Sequence, residues 1–418
     1  MQTGTRWFGR AAQTSTRAAC APVPAVGALP PRVVALQFAS LTTAQPVASP
    51  PIHRMKLATF ATFATPLSLT IAALALFIAT DTRAADPAPS LTAPLEWTAL
   101  PSIPDREGFA GSLAGTSSGA LLVGGGANFP GKKPWEGGTK IWYDSVFVLE
   151  KPDGAWRRAG QLPRPLGYGV SVTHRDGVIC AGGSDERGHR TEVFRIEWRG
   201  GALKFSELPA LPRPLANACG VVLGDTLYVL GGIETPLATV AMRTVLALDL
   251  ARPDARWTEL PTWPGPGRML ATAGAHAGSL FLFSGTALKA GADGKPVREL
   301  LRDAHRFTPG EGWRRLADLP RVAVAAPSPA PVVNGQLLVL GGDDGAQLST
   351  PPTEHRGFPR DVLAYDSRMD RWNTRGTVPF SLVTTAITEW HGRIVIPGGE
   401  QRPGVRSTEV WSASWKSW

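Results

Sequence analysis

Cysteine, tyrosine and histidine are scarce in this chain: its 418 residues contain three, four and seven of them. Cys20 falls in a leader-like segment, which leaves Cys180 and Cys219. Each sits inside a strand-like pattern and neither has a metal-ligand spacing, so a disulfide scaffold and a zinc cluster are both excluded. Export would permit the two to pair; a pair of buried free thiols is the other reading. Charge is also sparse, at 18%. With 46 Gly and 38 Pro, that balance points to many turns and few surface helices. The net charge of +9 is uneven, because Arg6, Arg10, Arg17, Arg32, Arg54, Lys56 and Arg83 against Asp81 place +6 in residues 1–84. The remaining +3 is too little to argue for a nucleic-acid partner. A membrane span is lacking too. The apolar run at residues 67–79 is shorter than the roughly 18–20 residues a span needs. It follows Met55-Lys56 and precedes Thr82-Arg83-Ala84, the layout of a cleavable secretory signal. The sequence therefore predicts an upstream extension or disordered leader over 1–54, a signal peptide over 55–84 and one folded domain over 85–418. Its expected destination is the periplasm, with full secretion also permitted and no stable membrane anchor after cleavage.

What is abundant is repetition. An apolar run ends in a glycine pair at Gly125-Gly126, Gly182-Gly183, Gly231-Gly232, Ser284-Gly285, Gly341-Gly342 and Gly398-Gly399, spaced 57, 49, 53, 57 and 57 residues apart. A β-branched or aromatic run follows each pair, then Trp156, Trp257, Trp313 or Trp372 (Phe205 substitutes once), then Leu-Pro. Short runs bounded by Gly, Pro, Asp and Asn are strand signals. Four strands per unit at this period predict a radial β-array. Six glycine-pair strands and six aromatic strands balance only if Trp97-Thr98-Ala99-Leu100-Pro101 is counted. The fold class expected is all-β, a six-bladed propeller whose last blade is closed by the N-terminal strand around Trp97.

Strand order brings two groups of loop residues to one mouth of the channel. Asn128, Asp185, Glu234, Thr286, Asp343, Asp344 and Glu400 follow the glycine pairs; Arg106 with Glu107, Arg164, Arg213, Arg268 and Arg321 follow the proline turns. An arginine ring suits an anionic ligand, since guanidinium grips a carboxylate through two parallel bonds. It is equally suited to tying one blade to the next. Long inserts at residues 128–143, 286–302 and 343–360 break the tight repeat, as lids and binding loops do.

The double glycine, third-strand aromatic and Trp are those of the Kelch motif, over residues 91–418. Two segments resemble the bacterial N-acetylneuraminate epimerases, the sialic acid mutarotases. One runs from Phe109-Ala110-Gly111 through Gly124-Gly125-Gly126-Ala127-Asn128-Phe129-Pro130 to Gly167-Tyr168-Gly169-Val170-Ser171; the other is Pro397-Gly398-Gly399-Glu400-Gln401-Arg402-Pro403-Gly404-Val405-Arg406. Ordinary members carry the Glu segment first, so the chain looks like a cyclically permuted relative. The resemblance implies that Glu400 is the catalytic base and Arg406 its partner. Asn128, Arg106, Tyr168, Arg164 and Arg213 are the expected substrate contacts. It also implies a small sugar acid (sialic acid) as partner, with no cofactor and no metal. Two other functions compete. A copper-radical oxidase on Kelch blades needs Tyr, Cys and His ligands together, and Tyr143, Tyr168, Tyr228 and Tyr365 are poorly placed for it. A non-enzymatic propeller that docks a glycan or protein fits the fold equally well.

Overall fold

A computed structural model describes residues 95–415. The leader and signal expectations for 1–84 lie outside these residues. Six four-stranded antiparallel sheets follow one another around a ring. Blade 1 comprises Leu113–Ser117, Ala120–Gly124, Ser145–Leu149 and Arg157–Gln161. Blade 2 comprises Val170–Thr173, Val178–Ala181, Val193–Arg199 and Ala202–Leu208. Blade 3 is built from Cys219–Leu223, Thr226–Leu230, Val245–Asp249 and Thr258–Glu259, and blade 4 from Thr272–His276, Ser279–Phe283, Ala304–Thr308 and Gly312–Leu316. Blade 5 uses Val332–Val333, Gln336–Leu340, Asp361–Asp366 and Arg371–Thr377. Blade 6 uses Thr388–Trp390, Arg393–Arg402 and Val405–Ser414, and takes its outer strand from Glu96–Leu100, with Trp97 opposite Ala413. The ring is thus closed from the N-terminal side, as the strand count requires. Among the described residues the one helical segment is a 3-10 turn at Pro134–Glu136.

The recurring residues are the joints between blades. The outer-strand Trp of one blade donates its indole N–H to a backbone carbonyl at the turn leaving the previous blade: Trp156 to Pro101 (2.6 Å), Trp257 to Pro209 (2.7 Å), Trp313 to Pro261 (2.7 Å) and Trp372 to Ala317 (2.9 Å). The amide of the second glycine receives the entering chain of the next blade, Gly126 bonding Leu166 O, Gly183 bonding Leu215 O and Gly232 bonding Arg268 O, each at 2.8 Å. A side chain on the preceding glycine is impossible, since a Cβ on Gly125 would lie 2.1 Å from that Leu166 oxygen. Where the first glycine is lost, Ser284 still takes a φ of 55°. Its hydroxyl makes up for the loss, accepting from Ala323 N–H at 2.8 Å and donating to Leu301 O at 2.9 Å.

Apolar clusters fill the space between adjacent sheets. Leu122, Val146, Val148, Val178, Cys180 and Ile196 join blades 1 and 2. Each such side chain contributes roughly 1.5–3 kcal/mol on full burial. Cys180 and Cys219 are buried free thiols in separate clusters. Burial pushes the Cys219 thiol up to about 12 and the Cys180 thiol higher still, so both behave as small apolar groups.

A second ring lies at the mouth. In the segment leading into each inner strand, a residue two to seven positions ahead of it donates its N–H to the equivalent carbonyl of a neighbouring blade: Gly111 to Thr384, Tyr168 to Gly111, Asn217 to Tyr168, Leu270 to Asn217, Ala325 to Leu270 and Thr384 to Ala325. These six bonds of 2.8–2.9 Å form a closed circle. All six residues have positive φ, from 55° to 67°, and five of them carry side chains. The left-handed region costs an L-residue about 1–2 kcal/mol, so the hydrogen-bonded circle offsets strain at five positions. Four of its members, Tyr168, Asn217, Leu270 and Thr384, line one cavity.

Candidate active site

Each glycine pair is followed by a residue bridged to the position just before the ring: Ala127 to Ala110, Ser184 to Gly167, Ile233 to Ala216, Thr286 to Met269, Asp343 to Val324 and Glu400 to Val383. Glu400 is therefore equivalent to Ile233 and Ser184, whereas Asn128, Asp185 and Glu234 lie one residue further along.

In blade 6 the two long strands run past the glycine pair into a hairpin that turns at Pro403-Gly404. Gly399 faces Ser407 and Glu400 faces Arg406 across it, which explains the six-residue separation of the pair. Arg406 Nη1 lies 2.5 Å from Glu400 Oε1, with the two side chains 4% and 20% exposed. The contact is ionic, because Nη1 is buried with no aligned hydrogen-bond acceptor. Gly404 N–H donates to the same Oε1 at 2.8 Å and fixes the carboxylate. Only glycine suits the turn, which has a φ of 79° and brings Pro134 and Trp135 within 2.9 Å of any added Cβ.

The insert of blade 1 leans over this hairpin. Ala127–Asn128 pairs with Ile141–Trp142 as a short ribbon. Arg406 donates through Nε to Ala127 O at 3.3 Å and stacks its guanidinium 5.3 Å from Phe129. Lys140 Nζ sits among three rings, 5.0 Å from Tyr168, 5.4 Å from Trp142 and 5.9 Å from Phe129. Desolvation by these surroundings, then the Arg406 charge, hold its pKa below the usual lysine range; Glu400 opposes them. Tyr168, on the ring at φ 58°, is pushed up to about 12 by burial, while the charge of Arg406 acts the other way.

Glu400, Arg406, Lys140, Trp142 and Tyr168 share one cavity of about 470 Å³, which also takes in Asn217, Thr384, Ser184, His189 and Arg298. His189 comes from a two-residue ribbon, Gly188–His189 against Ser184–Asp185, and burial lowers its pKa to about 4. Among the expected contacts, Tyr168 lines the cavity with Glu400 and Arg406. Asn128 does not. It is buried behind the ribbon, donating to Gly108 O at 2.9 Å and accepting from Tyr143 Oη at 2.8 Å. Arg106 is exposed and outside the cavity. Arg164 pairs with Glu192 at 3.1 Å, and Arg213 with Glu259 at 2.9 Å and Glu234 at 3.7 Å. Arg268 and Arg321 are likewise paired, with Asp303 and Asp361. Four of the five arginines are thus occupied by carboxylates of the chain itself, and the circle does not present a free anion-binding ring. Lys140, Trp142, His189 and Arg298 were not among the candidates. Lys140, Trp142 and Arg298 stand on the long inserts at 128–143 and 286–302, whose length marks them as binding loops, and His189 stands on the short ribbon after the second glycine pair. Among the described residues, no three His, Cys, Asp or Glu side chains group as metal ligands.

Residues 88–205 match the sequence model of a family described as N-acetylneuraminate epimerase. This part of the chain resembles those epimerases. The match takes in the closing N-terminal strand and blades 1 and 2, almost to the end of the latter. The chain is 42% identical over 110 residues to the N-acetylneuraminate epimerase of Yersinia enterocolitica serotype O:8 / biotype 1B, covering 23% of this chain and 27% of that one. To the Yersinia pestis protein of that name it is 40% identical over 127 residues (26% and 31%), and to the Salmonella enteritidis PT4 protein 44% over 97 residues (21% and 25%). The chain thus spans about a quarter to a third of the length of the epimerases it matches.

Proposed function

We propose that this propeller interconverts the anomers of a 2-keto sugar acid, with N-acetylneuraminate as the first substrate to test. The observation that carries the reading is the Glu400–Arg406 pair, fixed across one hairpin and open to a cavity roofed by Lys140, Trp142 and Tyr168. Glu400 takes the proton of the anomeric hydroxyl. The C2–ring oxygen bond then breaks, its electron pair goes to the ring oxygen, and that oxygen takes up a proton. Rotation about C2–C3 and the reverse steps close the ring on the other face. Arg406 is suited to holding the sugar carboxylate, since its guanidinium lines the same cavity as Glu400. Lys140, with its lowered pKa, is the better proton donor of the two cations.

A cyclic permutation accounts for the partial match. A collinear comparison follows a permuted chain only as far as the shared order lasts, and a closed ring keeps blade 6 beside blade 1 wherever the chain begins. On the signal-like residues 55–84 we also propose a periplasmic location, which N-terminal sequencing of the mature protein tests: a product beginning at Met1 sinks it.

The reaction is tested by NMR of freshly dissolved N-acetylneuraminate. Added protein should accelerate the approach to anomeric equilibrium, and Glu400→Gln should abolish the acceleration with the far-UV spectrum unchanged. An unaccelerated approach with ordinary binding would favour the non-enzymatic propeller.

A further inference from the structure

A second cavity, of about 350 Å³, adjoins the one that holds Glu400. Lys140 and Trp142 line both, so they form the wall the two spaces share. Its other sides come from Arg164 and Pro165 and from the ribbon of blade 2. Strand alternation divides that ribbon between the two spaces. Ser184 and His189 are opposite each other and line the first cavity, whereas Asp185, the next residue, lines the second with Glu186, Arg187 and Arg190. The ribbon tip has a fixed backbone. Arg190 donates through Nη2 to both carboxylate oxygens of Asp185, and Arg187 N–H donates to Asp185 Oδ1 at 2.8 Å. The side chain of Arg187 is not held in this way: it is 80% exposed, and its neighbour Glu186, equally exposed, lies 4.0 Å away. An exposed pair at that distance contributes little, which leaves the guanidinium fork free for a ligand. On the shared wall the Trp142 indole is braced by Tyr168, with ring centroids 5.3 Å apart at 77°. An aromatic wall beside guanidinium forks suits a polyhydroxylated ring, which has an apolar face to lay on the indole and oxygens to accept from the forks.

Anomerisation requires a free anomeric hydroxyl, which an oligosaccharide carries only at its reducing end. The rest of such a chain must leave the cavity that holds the reducing ring. We infer that the second cavity is a subsite for the next residue of a short acidic oligosaccharide, whose reducing-end ring lies against Glu400 and Arg406. Lys140, Arg164, Arg187 and Arg190 outnumber Asp185 and Glu186 in its lining, which favours a second sugar acid over a neutral sugar. The inference rests on the sugar-acid reading of the first cavity and extends its substrate class from a free monosaccharide to a reducing-end chain.

The test compares N-acetylneuraminate with its α2,8-linked dimer, which has one free anomeric centre. In saturation-transfer NMR, protons of both rings of the dimer should be saturated. For anomerisation, kcat/KM for the dimer should exceed that for the monomer about tenfold, near the effect of one charge-assisted bond. Arg187→Glu, at an exposed tip where folding is not at stake, should erase that advantage and leave kcat/KM for the monomer as it was. Equal rates with an unsaturated distal ring, or a dimer that is not turned over, remove the subsite and leave the reaction standing. An advantage that survives Arg187→Glu also removes the subsite. Tighter binding of the dimer that Arg187→Glu weakens, with neither compound accelerated, keeps the subsite and removes the reaction. Absence of binding by either compound overturns both.

Discussion

Two arginine–carboxylate pairs in this molecule are alike in burial and opposite in completion. Arg268 is fully buried and held on both sides, donating to Asp303 Oδ1 and Oδ2 at 2.9 and 2.7 Å and to Ser284 O at 2.9 Å. Its carboxylate is in turn bonded by His305 Nε2 at 2.7 Å. Arg406 is nearly as buried, yet it reaches its carboxylate through a single ionic contact and opens onto a cavity. The first pair is a joint between strands: two parallel bonds to the carboxylate and one to a carbonyl leave Arg268 Nε without an acceptor, but in the closed interior. The second faces a cavity, where its charges can act on a ligand, as a binding or catalytic site requires. Sequence pattern alone does not separate them, since both arginines follow a glycine- and proline-containing turn.

The sharpest way to break this comparison is to remove one carboxylate from each pair. Asp303→Ala leaves Arg268 charged and uncompensated in the interior, an error that costs about 3–5 kcal/mol. Urea unfolding should show that loss, while activity per folded molecule should be unchanged. Burial raises the Asp303 pKa, but the bonds from His305 and Arg268 outweigh it and hold the carboxyl well below its ordinary range. The sign follows. The stability from this pair is complete above about pH 4, the unfolded value, and is lost as pH falls through the lower folded value. Glu400→Gln should do the reverse: a loss of about 10²–10⁴-fold in anomerisation, the range for a positioned acid or base, with little change in the unfolding midpoint. A large stability loss with retained activity would make the second pair another joint. Arg406→Lys keeps the charge but removes the planar fork and the stacking on Phe129. It should raise KM for the sugar acid about tenfold, near the cost of one charge-assisted bond.

How much of this was legible depended on which residues obey the repeat. The six blades, the closure through Trp97 and the placing of Glu400 beside blade 1 all follow from counting glycine pairs and aromatic strands. Asn128, Asp185 and Glu234 were misaligned by one residue because the glycine pair marks the turn without saying which following side chain faces the mouth. The bridges to Ala110, Gly167 and Ala216 decide that. Arginines at the proline turns were visible, but their partners Asp303 and Asp361 stand 35 and 40 residues away in other strands. The circle of Tyr168, Asn217, Leu270 and Thr384 has no composition of its own; it is a backbone conformation shared by unlike side chains. Lys140 and His189 are further still from the repeat, because inserts carry no period to align them.

His189 gives the smallest effect and the finest separation of the two regions. Burial lowers its pKa from 6.5 to about 4 in the folded chain. Between those values the unfolded chain binds a proton that the folded chain does not, so stability rises with pH across this window. It is complete above about 6.5, the unfolded value, and is lost as pH falls toward 4. Asp303 acts only below this window. Urea midpoints measured from pH 7 to pH 3 should therefore decline in two steps, an upper one from the cavity and a lower one that the locked pair shares with the other lowered carboxyls, Asp176, Asp185, Asp225 and Asp293. His189→Gln should flatten the upper step and leave the lower one in place. If the upper step persists in that variant, the imidazole is not the group being titrated and the cavity is more hydrated than its lining implies.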